Sequence, residues 1–176
     1  MADTIGKEKQ AEAALFRNNI FEQMFPNITS LEKVYDKERQ LSGIDYIIKS
    51  NTGECINVDL KTQIGTDYKM HEHDYVGSPD RGYQNTDGIV IEIDQYAGGK
   101  WSHTNTEDKA TDYMLYYVKD LHGERCYLIG YQSIVRMSEK HSEAADRYVE
   151  QTSFNGTGHY IKVPFYMLNV RKMVKI

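Results

Sequence analysis

The sequence predicts one α/β (α+β) domain, in which helices flank a central mixed sheet. Three observations favour this fold class: an amphipathic helical pattern near the N-terminus, several consecutive segments with strand periodicity, and a second helical pattern after them. That order is typical of a sandwich built around one sheet. The chain of 176 residues has the length of an ordinary domain, so we expect a single domain over residues 1–176.

The first predicted element is a helix over residues 5–24, which ends before Pro26. Its apolar residues recur at helical spacing and define one face. The members of this face are Ala11, Ala14, Phe21, Met24 and Phe25. Glu12 lies beside the apolar face, not opposite it. A short strand over residues 33–36 is expected next.

The segment GIDYIIKSNTGECINVDLKTQ, residues 43–63, predicts a β-hairpin with SNTG as its turn. Asp45 and Asp59 interrupt its two strands, although Asp is disfavoured in strands. Side chains alternate along a strand, so Asp59 and Lys61 share one face and the apolar residues share the other.

The pairing of this hairpin decides where the two aspartates meet. If Lys49 pairs with Cys55, Asp45 lies directly across from Asp59. Like charges in facing positions destabilise a sheet. A divalent cation relieves this repulsion, because hard cations bind clustered carboxylate oxygens. A nearby lysine can hold a water or stabilise a developing negative charge, so the set is suited to phosphodiester hydrolysis.

The remaining elements complete the predicted sheet and its flanking helices. They are a loop over residues 64–86, a strand over 87–93, a loop over 94–110, a hairpin of 111–118 with 124–131, a helix from Ser133 to about Val149, and a strand followed by a short helix within 160–174. Two cysteines, Cys55 and Cys126, lie among apolar strand residues, so we expect both to be buried free thiols.

The hairpin resembles the PD-(D/E)XK nuclease superfamily, which has the restriction-endonuclease-like fold. The family pattern is an acid in one strand, followed in the next strand by an acid, any residue and a lysine. Asp45 matches the first acid, and Asp59, Leu60 and Lys61 match the second part. Ile44 stands where the family is named for a proline, a position that many members fill differently. The order of elements fits the family core through about residue 131.

This resemblance implies a deoxyribonuclease that uses Mg²⁺, for which Mn²⁺ can substitute. Asp45 and Asp59 would bind the metal, and the carbonyl of Leu60 would add a ligand. Lys61 would position the attacking water or stabilise the pentavalent phosphate. DNA is the implied partner, and a homodimer is a further option.

The family often adds a glutamate from the helix that precedes the sheet. Glu12 is the first choice for this residue, and Glu22 is the alternative. Either would act as a further acid of the catalytic site.

Other interpretations stay open at this point. The fold could serve as a catalytically inactive module that binds nucleic acid or protein, or Asp45 and Asp59 could be solvated charges at strand ends. His71 and His73 could support a zinc enzyme. Glu92 and Asp94 could support the metal from a neighbouring strand, or could be strand-end charges.

Composition limits the classes of protein. A net charge of −5 argues against a purely electrostatic nucleic-acid binder, but leaves room for a nucleic-acid enzyme with an acidic site. No apolar run approaches the roughly 20 residues that a membrane helix needs. The polar start of the chain contains no signal peptide. We therefore expect a cytoplasmic protein that does not bind membranes.

Overall fold

The computed structural model describes residues 4–64, 88–120, 122–141, 149–153 and 156–176. These residues form a mixed α/β structure with two sheets, which confirms the predicted class and the mixed central sheet. The loop predicted over residues 64–86 lies outside the described residues, apart from Ile64 at the end of a strand. His71 and His73 lie outside them as well.

The described residues contain four α-helices, one 3-10 helix and ten strands. The helices are α1 (Thr4–Arg17), α2 (Ile20–Met24), α3 (Lys37–Leu41) and α4 (Tyr131–His141), with a 3-10 helix at Phe165–Met167. The strands are β1 (Ile28–Lys33), β2 (Tyr46–Ser50), β3 (Cys55–Ile64), β4 (Gly88–Ala97), β5 (Lys100–His103), β6 (Tyr113–Asp120), β7 (Gly123–Gly130), β8 (Val149–Ser153), β9 (Gly156–Pro164) and β10 (Val170–Lys175).

The chain forms two compact units, each with its own sheet. The first contains Met1–Asp67, Lys109–Tyr131 and Val170–Ile176, and the second contains Tyr68–Asp108 and Gln132–Asn169. None of the described helices has both the length and the apolar character needed to cross a membrane. The expectation of one domain over the whole chain stays a prediction.

The sheet of the first unit has six strands in the order β1-β2-β3-β6-β7-β10. Its neighbours are antiparallel except β3 and β6, which run parallel. Parallel neighbours require a long connection, and residues 65–112 supply it. β6 and β7 confirm the predicted second hairpin. β10 lies where the sequence predicted the end of a short helix, so that prediction was wrong there. β1 begins earlier than the strand predicted over residues 33–36.

The helices α1 and α2 cover one face of this sheet. The predicted single helix is interrupted at Asn18 and Asn19, where Asn19 has a φ of 50°. Asparagine tolerates this left-handed conformation better than most residues, and the Asn18 side chain donates a hydrogen bond of 2.8 Å to the carbonyl of Ala14. The predicted apolar face is nevertheless confirmed, because all its members are buried.

The core beneath these helices is built by one face of the strands. Its buried members are Ala11, Ala14, Leu15, Ile20, Phe21, Met24, Phe25, Tyr46, Ile48, Val58, Leu115, Tyr117, Cys126 and Leu128. Burying apolar side chains of this size stabilises a fold by about 1.5–3 kcal/mol each. The core therefore fixes which way each strand faces.

The sheet of the second unit has the order β5-β4-β9-β8. The loop predicted over residues 94–110 is instead a hairpin of β4 and β5 in its first part. Gly98 and Gly99 form its turn with φ values of 60° and 82°. Such a two-residue turn matches the right-handed twist of paired strands and favours glycine.

The helix α4 begins directly after β7 and its described part ends at His141. The prediction that this helix reaches Val149 was wrong, because Val149 begins β8 and pairs with β9. Ser133 does not precede the helix as a cap. It lies inside the first turn, where its hydroxyl accepts a 3.0 Å hydrogen bond from the Asn169 N–H.

The two cysteines are free thiols in different environments. Cys126 is buried in the core, as predicted. Cys55 is exposed, so that part of the prediction was wrong. Its apolar neighbours suggested burial, but it is the first residue of β3, next to the polar turn.

Candidate active site

The pairing predicted for the first hairpin is confirmed. Lys49 is the partner of Cys55, and the register continues without a shift to the residues adjacent to the two aspartates. Asp45 and Asp59 therefore lie across from each other at the end of the hairpin distant from its turn. Asp45 immediately precedes β2, whereas Asp59 is in the middle of β3.

The alternation along β3 gives its two faces opposite characters. Val58 points into the core beneath α1. Asp59 and Lys61 occupy the other face, where Asp59 is only 5% exposed. Asp59 is not a solvated charge at the end of a strand, because it lies within β3 and its carboxylate is buried.

Hydrogen bonds on three sides fix Asp45. Its N–H donates to the carbonyl of Val58 at 2.9 Å, and its own carbonyl accepts from the N–H of Val34 at 2.8 Å. The side-chain Oδ2 accepts a 2.8 Å hydrogen bond from the N–H of Leu60. The carboxylate is therefore held against β3, beside Asp59.

Burial and, after it, the negative charge of Asp59 raise the pKa of the Asp45 carboxyl to about 6. The Leu60 N–H and the charge of Lys61 act in the opposite direction but do not offset these effects. The two carboxylates thus repel each other in the metal-free protein.

Lys61 supplies positive charge on the same face. Its Nζ lies 3.1 Å from Oδ1 of Asp59, and half of its side chain is exposed, against 8% for Asp59. The ammonium therefore links the buried carboxylate to the solvent side. A lysine that stabilises a phosphate needs this arrangement, in which the ammonium lies beside the buried acid and is also accessible to an anion from solvent.

A close contact between Gly43 and the Thr111 side chain fixes the chain segment that precedes Asp45. Gly43 has a φ of +77°, and a Cβ at this position would lie 2.5 Å from Oγ1 of Thr111. The Thr111 hydroxyl donates a 2.7 Å hydrogen bond to the carbonyl of Gly43. Glycine is required here both by the left-handed conformation and by the space.

Glu12 has two partners on the helix-covered side of the sheet. Its Oε1 accepts hydrogen bonds of 2.5 Å from the Tyr46 hydroxyl and from Lys33 Nζ. Burial and the charge of Glu12 raise the pKa of Tyr46 well above its ordinary value. Glu22 is exposed on α2. The participation of either glutamate in a metal site stays a prediction, as does that of the Leu60 carbonyl.

Gln63 extends the polar face of β3 and was not singled out from the sequence. It is buried, and its Oε1 accepts a 2.9 Å hydrogen bond from the hydroxyl of Tyr116. The alternation of β3 is the signal that could have found it. Gln63 follows Lys61 by two residues, as Lys61 follows Asp59.

Glu92 and Asp94 do not lie on a strand beside this site. Both belong to β4 in the sheet of the second unit, whereas the strands next to β3 are β2 and β6. One of the two options that the sequence left open assumed that β4 lies next to β3, and the sheet order does not show this. That option treated strands that follow each other in sequence as neighbours, although the chain inserts the second sheet between β3 and β6.

The donors present suit a hard cation. Asp45 and Asp59 offer carboxylate oxygens, and Mg²⁺ commonly binds through one or two carboxylates while keeping several waters. No group of three or more His, Cys, Asp or Glu side chains in the described ranges is arranged to hold a metal ion. Two carboxylates without nitrogen or sulfur donors fit Mg²⁺ or Mn²⁺ better than a zinc site.

Comparisons with known proteins gave no relative. No protein-family model matches the chain, and neither the curated proteins nor the solved structures contain a match. The resemblance to the PD-(D/E)XK superfamily therefore depends on residues 43–63 and on the arrangement of the side chains they carry.

Proposed function

We propose that this protein is a Mg²⁺-dependent deoxyribonuclease of the PD-(D/E)XK superfamily, with a restriction-endonuclease-like core. The observation that carries the proposal is the facing pair of Asp45 and Asp59 on one side of the β2–β3 hairpin, with Lys61 bonded to Asp59. An ordinary sheet gains nothing from two facing carboxylates. A cation-binding site requires them.

The energetics of the pair support a cation. Burial and the charge of Asp59 disfavour the ionised form of Asp45. A bound divalent cation reverses both effects, because positive charge stabilises carboxylates. The repulsion between the two carboxylates would then destabilise only the metal-free protein, and local destabilisation of this kind is common at functional sites.

Each residue of the site has a definite role in this proposal. Asp45, Asp59 and the carbonyl of Leu60 would hold the Mg²⁺ or Mn²⁺. When bound, the ion would supply positive charge at the phosphate and lower the pKa of water. Lys61 would donate hydrogen bonds to the attacking water or to the phosphate oxygens, since its ammonium is near Asp59 and half exposed. A role for Glu12 as a further acid stays a prediction, because its carboxylate is bonded on the helix-covered face of the sheet.

A second candidate function is a catalytically inactive module that binds nucleic acid or protein on the same fold. The Asp59–Lys61 ion pair favours it, because this pair gives the buried carboxylate a partner without any cation. The two candidates differ in one property that can be measured: only the nuclease cleaves DNA when Mg²⁺ or Mn²⁺ is present.

The test is incubation of supercoiled plasmid, linear DNA and RNA with the protein in Mg²⁺, in Mn²⁺ and in EDTA. The proposal predicts cleavage of DNA with either metal and none in EDTA. Asp59→Asn is expected to lose this activity, whereas the control Asp36→Asn keeps it. Asp36 caps α3 through a 2.9 Å hydrogen bond from the Arg39 N–H, and Asn is an equally good cap. DNA binding without cleavage would favour the second candidate.

A further inference from the structure

The face of β3 that carries Asp59 and Lys61 continues to Gln63, two residues further along the strand. Side chains two residues apart leave a sheet on the same side and are separated by about 6.6 Å along it. These three residues and Tyr116 on β6 all belong to the first unit. The arrangement of this face is therefore fixed within one compact unit.

Tyr116 holds the Gln63 amide in one orientation. It is the partner of Lys61 in the parallel register of β3 and β6, so its side chain leaves the sheet on the same side as that of Lys61. Its hydroxyl donates a 2.9 Å hydrogen bond to Oε1 of Gln63. Because the oxygen of the amide is occupied in this way, the nitrogen with its two N–H donors is directed elsewhere.

The amide nitrogen of Gln63 makes no hydrogen bond within the part of the chain that the structure describes. The amide of Asn57, which precedes Asp59 on the same face, differs because it donates a 2.8 Å hydrogen bond to the carbonyl of Ala110. Among the described residues, the one enclosed side-chain polar atom without a hydrogen bond is Oγ1 of Thr104. The Gln63 nitrogen therefore keeps access to solvent, although the residue is only 8% exposed.

The charged groups that share this face favour an anionic ligand beside Gln63. Lys61 precedes it on β3, and half of the Lys61 side chain is exposed. Asp120, at the end of β6, has both carboxylate oxygens bonded to Arg125 at 2.9 and 2.8 Å, so its charge is balanced within the protein. Amide and ammonium donors are among the groups that bind phosphate oxygens of DNA.

We propose that Gln63 binds the DNA backbone, and that its amide N–H groups donate hydrogen bonds to a phosphate that flanks the cleaved one. Gln63 and Asp59 are separated by about 13 Å of strand, which is why the contact is assigned to a flanking phosphate. Tyr116 is a positioning residue, because it acts through Gln63 by fixing which end of the amide faces the DNA. The inference rests on the proposed function, since it adds a substrate contact to the face that carries the candidate metal site.

Two substitutions of Gln63 separate a substrate contact from a structural role. Gln63→Glu keeps an oxygen that accepts from Tyr116, but it loses the N–H donors and adds negative charge. Gln63→Met keeps the length of the side chain and loses both functions. We expect both variants to bind DNA roughly 10- to 100-fold more weakly, the range for a hydrogen bond to a charged group. If Gln63 were only the acceptor for Tyr116, Gln63→Glu would bind DNA like wild type.

Binding is measured by fluorescence anisotropy of an end-labelled duplex in EDTA, where no metal-dependent cleavage takes place. Tyr116→Phe should weaken binding only about 2- to 10-fold, because the amide remains and loses one neutral hydrogen bond. Gln10→Glu is the matched control, since it adds the same charge at an exposed position of α1, and it should bind like wild type. Urea unfolding checks that each variant is folded. If Gln63→Met does not fold, Gln63→Glu decides the outcome.

Steady-state cleavage in Mn²⁺ gives a second measure of the contact. A flanking phosphate is bound alike before and during the reaction, so loss of its hydrogen bond should raise KM much more than it lowers kcat. Loss of Lys61, which is proposed to act on the water or the cleaved phosphate, should lower kcat instead.

The outcomes separate this inference from the proposed function. Metal-dependent cleavage by wild type, with unchanged binding and KM in Gln63→Glu, would overturn the inference and leave the nuclease standing. Weaker binding by both Gln63 variants, without cleavage by wild type in either metal, would support the inference and contradict the nuclease. A wild type that binds no DNA, with or without Mn²⁺, would overturn both.

Discussion

Asp45 and Asp59 face each other across the β2–β3 hairpin, and the negative charge of Asp59 helps to raise the pKa of Asp45. Both are held in place: Asp45 by the N–H of Leu60 and Asp59 by the ammonium of Lys61. A proton, a cation or the removal of one charge relieves their repulsion. These three perturbations give the first three predictions.

Asp59→Asn removes one of the facing charges and one proposed metal ligand. We expect the metal-free variant to be at least as stable as wild type at neutral pH, because facing like charges destabilise a ladder. Mn²⁺ affinity should fall at the same time. Urea denaturation in EDTA measures the first effect, and calorimetric Mn²⁺ titration measures the second. Unchanged Mn²⁺ affinity would remove Asp59 from the metal site, and Asp36→Asn serves as the control.

Protonation of Asp45 makes the stability of the metal-free protein depend on pH. Because the folded pKa of about 6 exceeds the ordinary value of 3.8, the stabilising contribution is complete below the ordinary value and is lost as pH rises through the folded value. Wild type should therefore lose about 1–3 kcal/mol relative to Asp45→Asn over this window. Parallel urea titrations across the window measure the difference.

Saturating Mn²⁺ provides the control for that pH dependence. A bound cation stabilises the ionised Asp45 carboxylate. With Mn²⁺ present, ionisation of Asp45 should therefore no longer lower the unfolding free energy of wild type as the pH rises. A pH dependence in EDTA that is identical in wild type and Asp45→Asn would show that Asp45 does not titrate with the raised pKa.

Lys61→Met separates catalysis from metal binding. The ammonium is proposed to act on the water or the phosphate, so cleavage should fall by about 10²-fold or more. Mn²⁺ affinity should be kept or should rise slightly, because a positive charge beside the ligands is lost. Lys49→Met is the matched control, since Lys49 is exposed on the same hairpin at the end near the turn. Equal activity of both variants and wild type would place the reaction elsewhere.

Gly43→Ala tests the backbone contact that fixes the entry to Asp45. The new Cβ would meet Oγ1 of Thr111 at 2.5 Å with a φ of +77°, so we expect a loss of about 2–4 kcal/mol of unfolding free energy. Gly53→Ala is the control, because Gly53 has a φ of +83° with nothing within 4 Å of its Cβ position. It should lose only about 1–2 kcal/mol. Equal losses would show that the Thr111 contact relaxes freely.

Glu12 can be tested against its structural role. Tyr46→Phe removes the hydroxyl that donates to Glu12 and should cost about 0.5–1.5 kcal/mol of stability. Glu12→Gln keeps the size of the side chain but removes its charge. If Glu12 is a catalytic acid, Glu12→Gln should lose DNA cleavage and Tyr46→Phe should largely keep it. If Glu12 only anchors α1, both variants should cleave like wild type.

The sequence predicted the parts of the fold that depend on local pattern. The period of two along β3 correctly placed Asp59 and Lys61 opposite the core, and the distance from Lys49 to Cys55 across the turn set the register. The helical period correctly gave the buried face that includes Ala11 and Phe21. Each inference uses contacts within one element or one hairpin, which sequence spacing determines directly.

The parts that failed depend on contacts between distant segments. The place of β4 in a second sheet cannot be deduced from DGIVIEI alone, and neither can the pairing of β10 with β7. Glu12 illustrates the same limit within the candidate site. Its helical position was predicted, but its bonds to Tyr46 and Lys33 depend on how α1 packs on the sheet.

The central claim is that Asp45 and Asp59 form a metal-dependent nuclease site. Its most direct test is plasmid nicking by wild type and Asp59→Asn, purified in parallel, stripped with EDTA and then supplied with Mg²⁺ or Mn²⁺. A contaminating nuclease would act in both preparations, so the comparison is internally controlled. Nicking by wild type that requires metal and is absent from Asp59→Asn is the predicted result. Nicking at equal rates in both preparations, or no nicking by wild type with either metal, would contradict the claim.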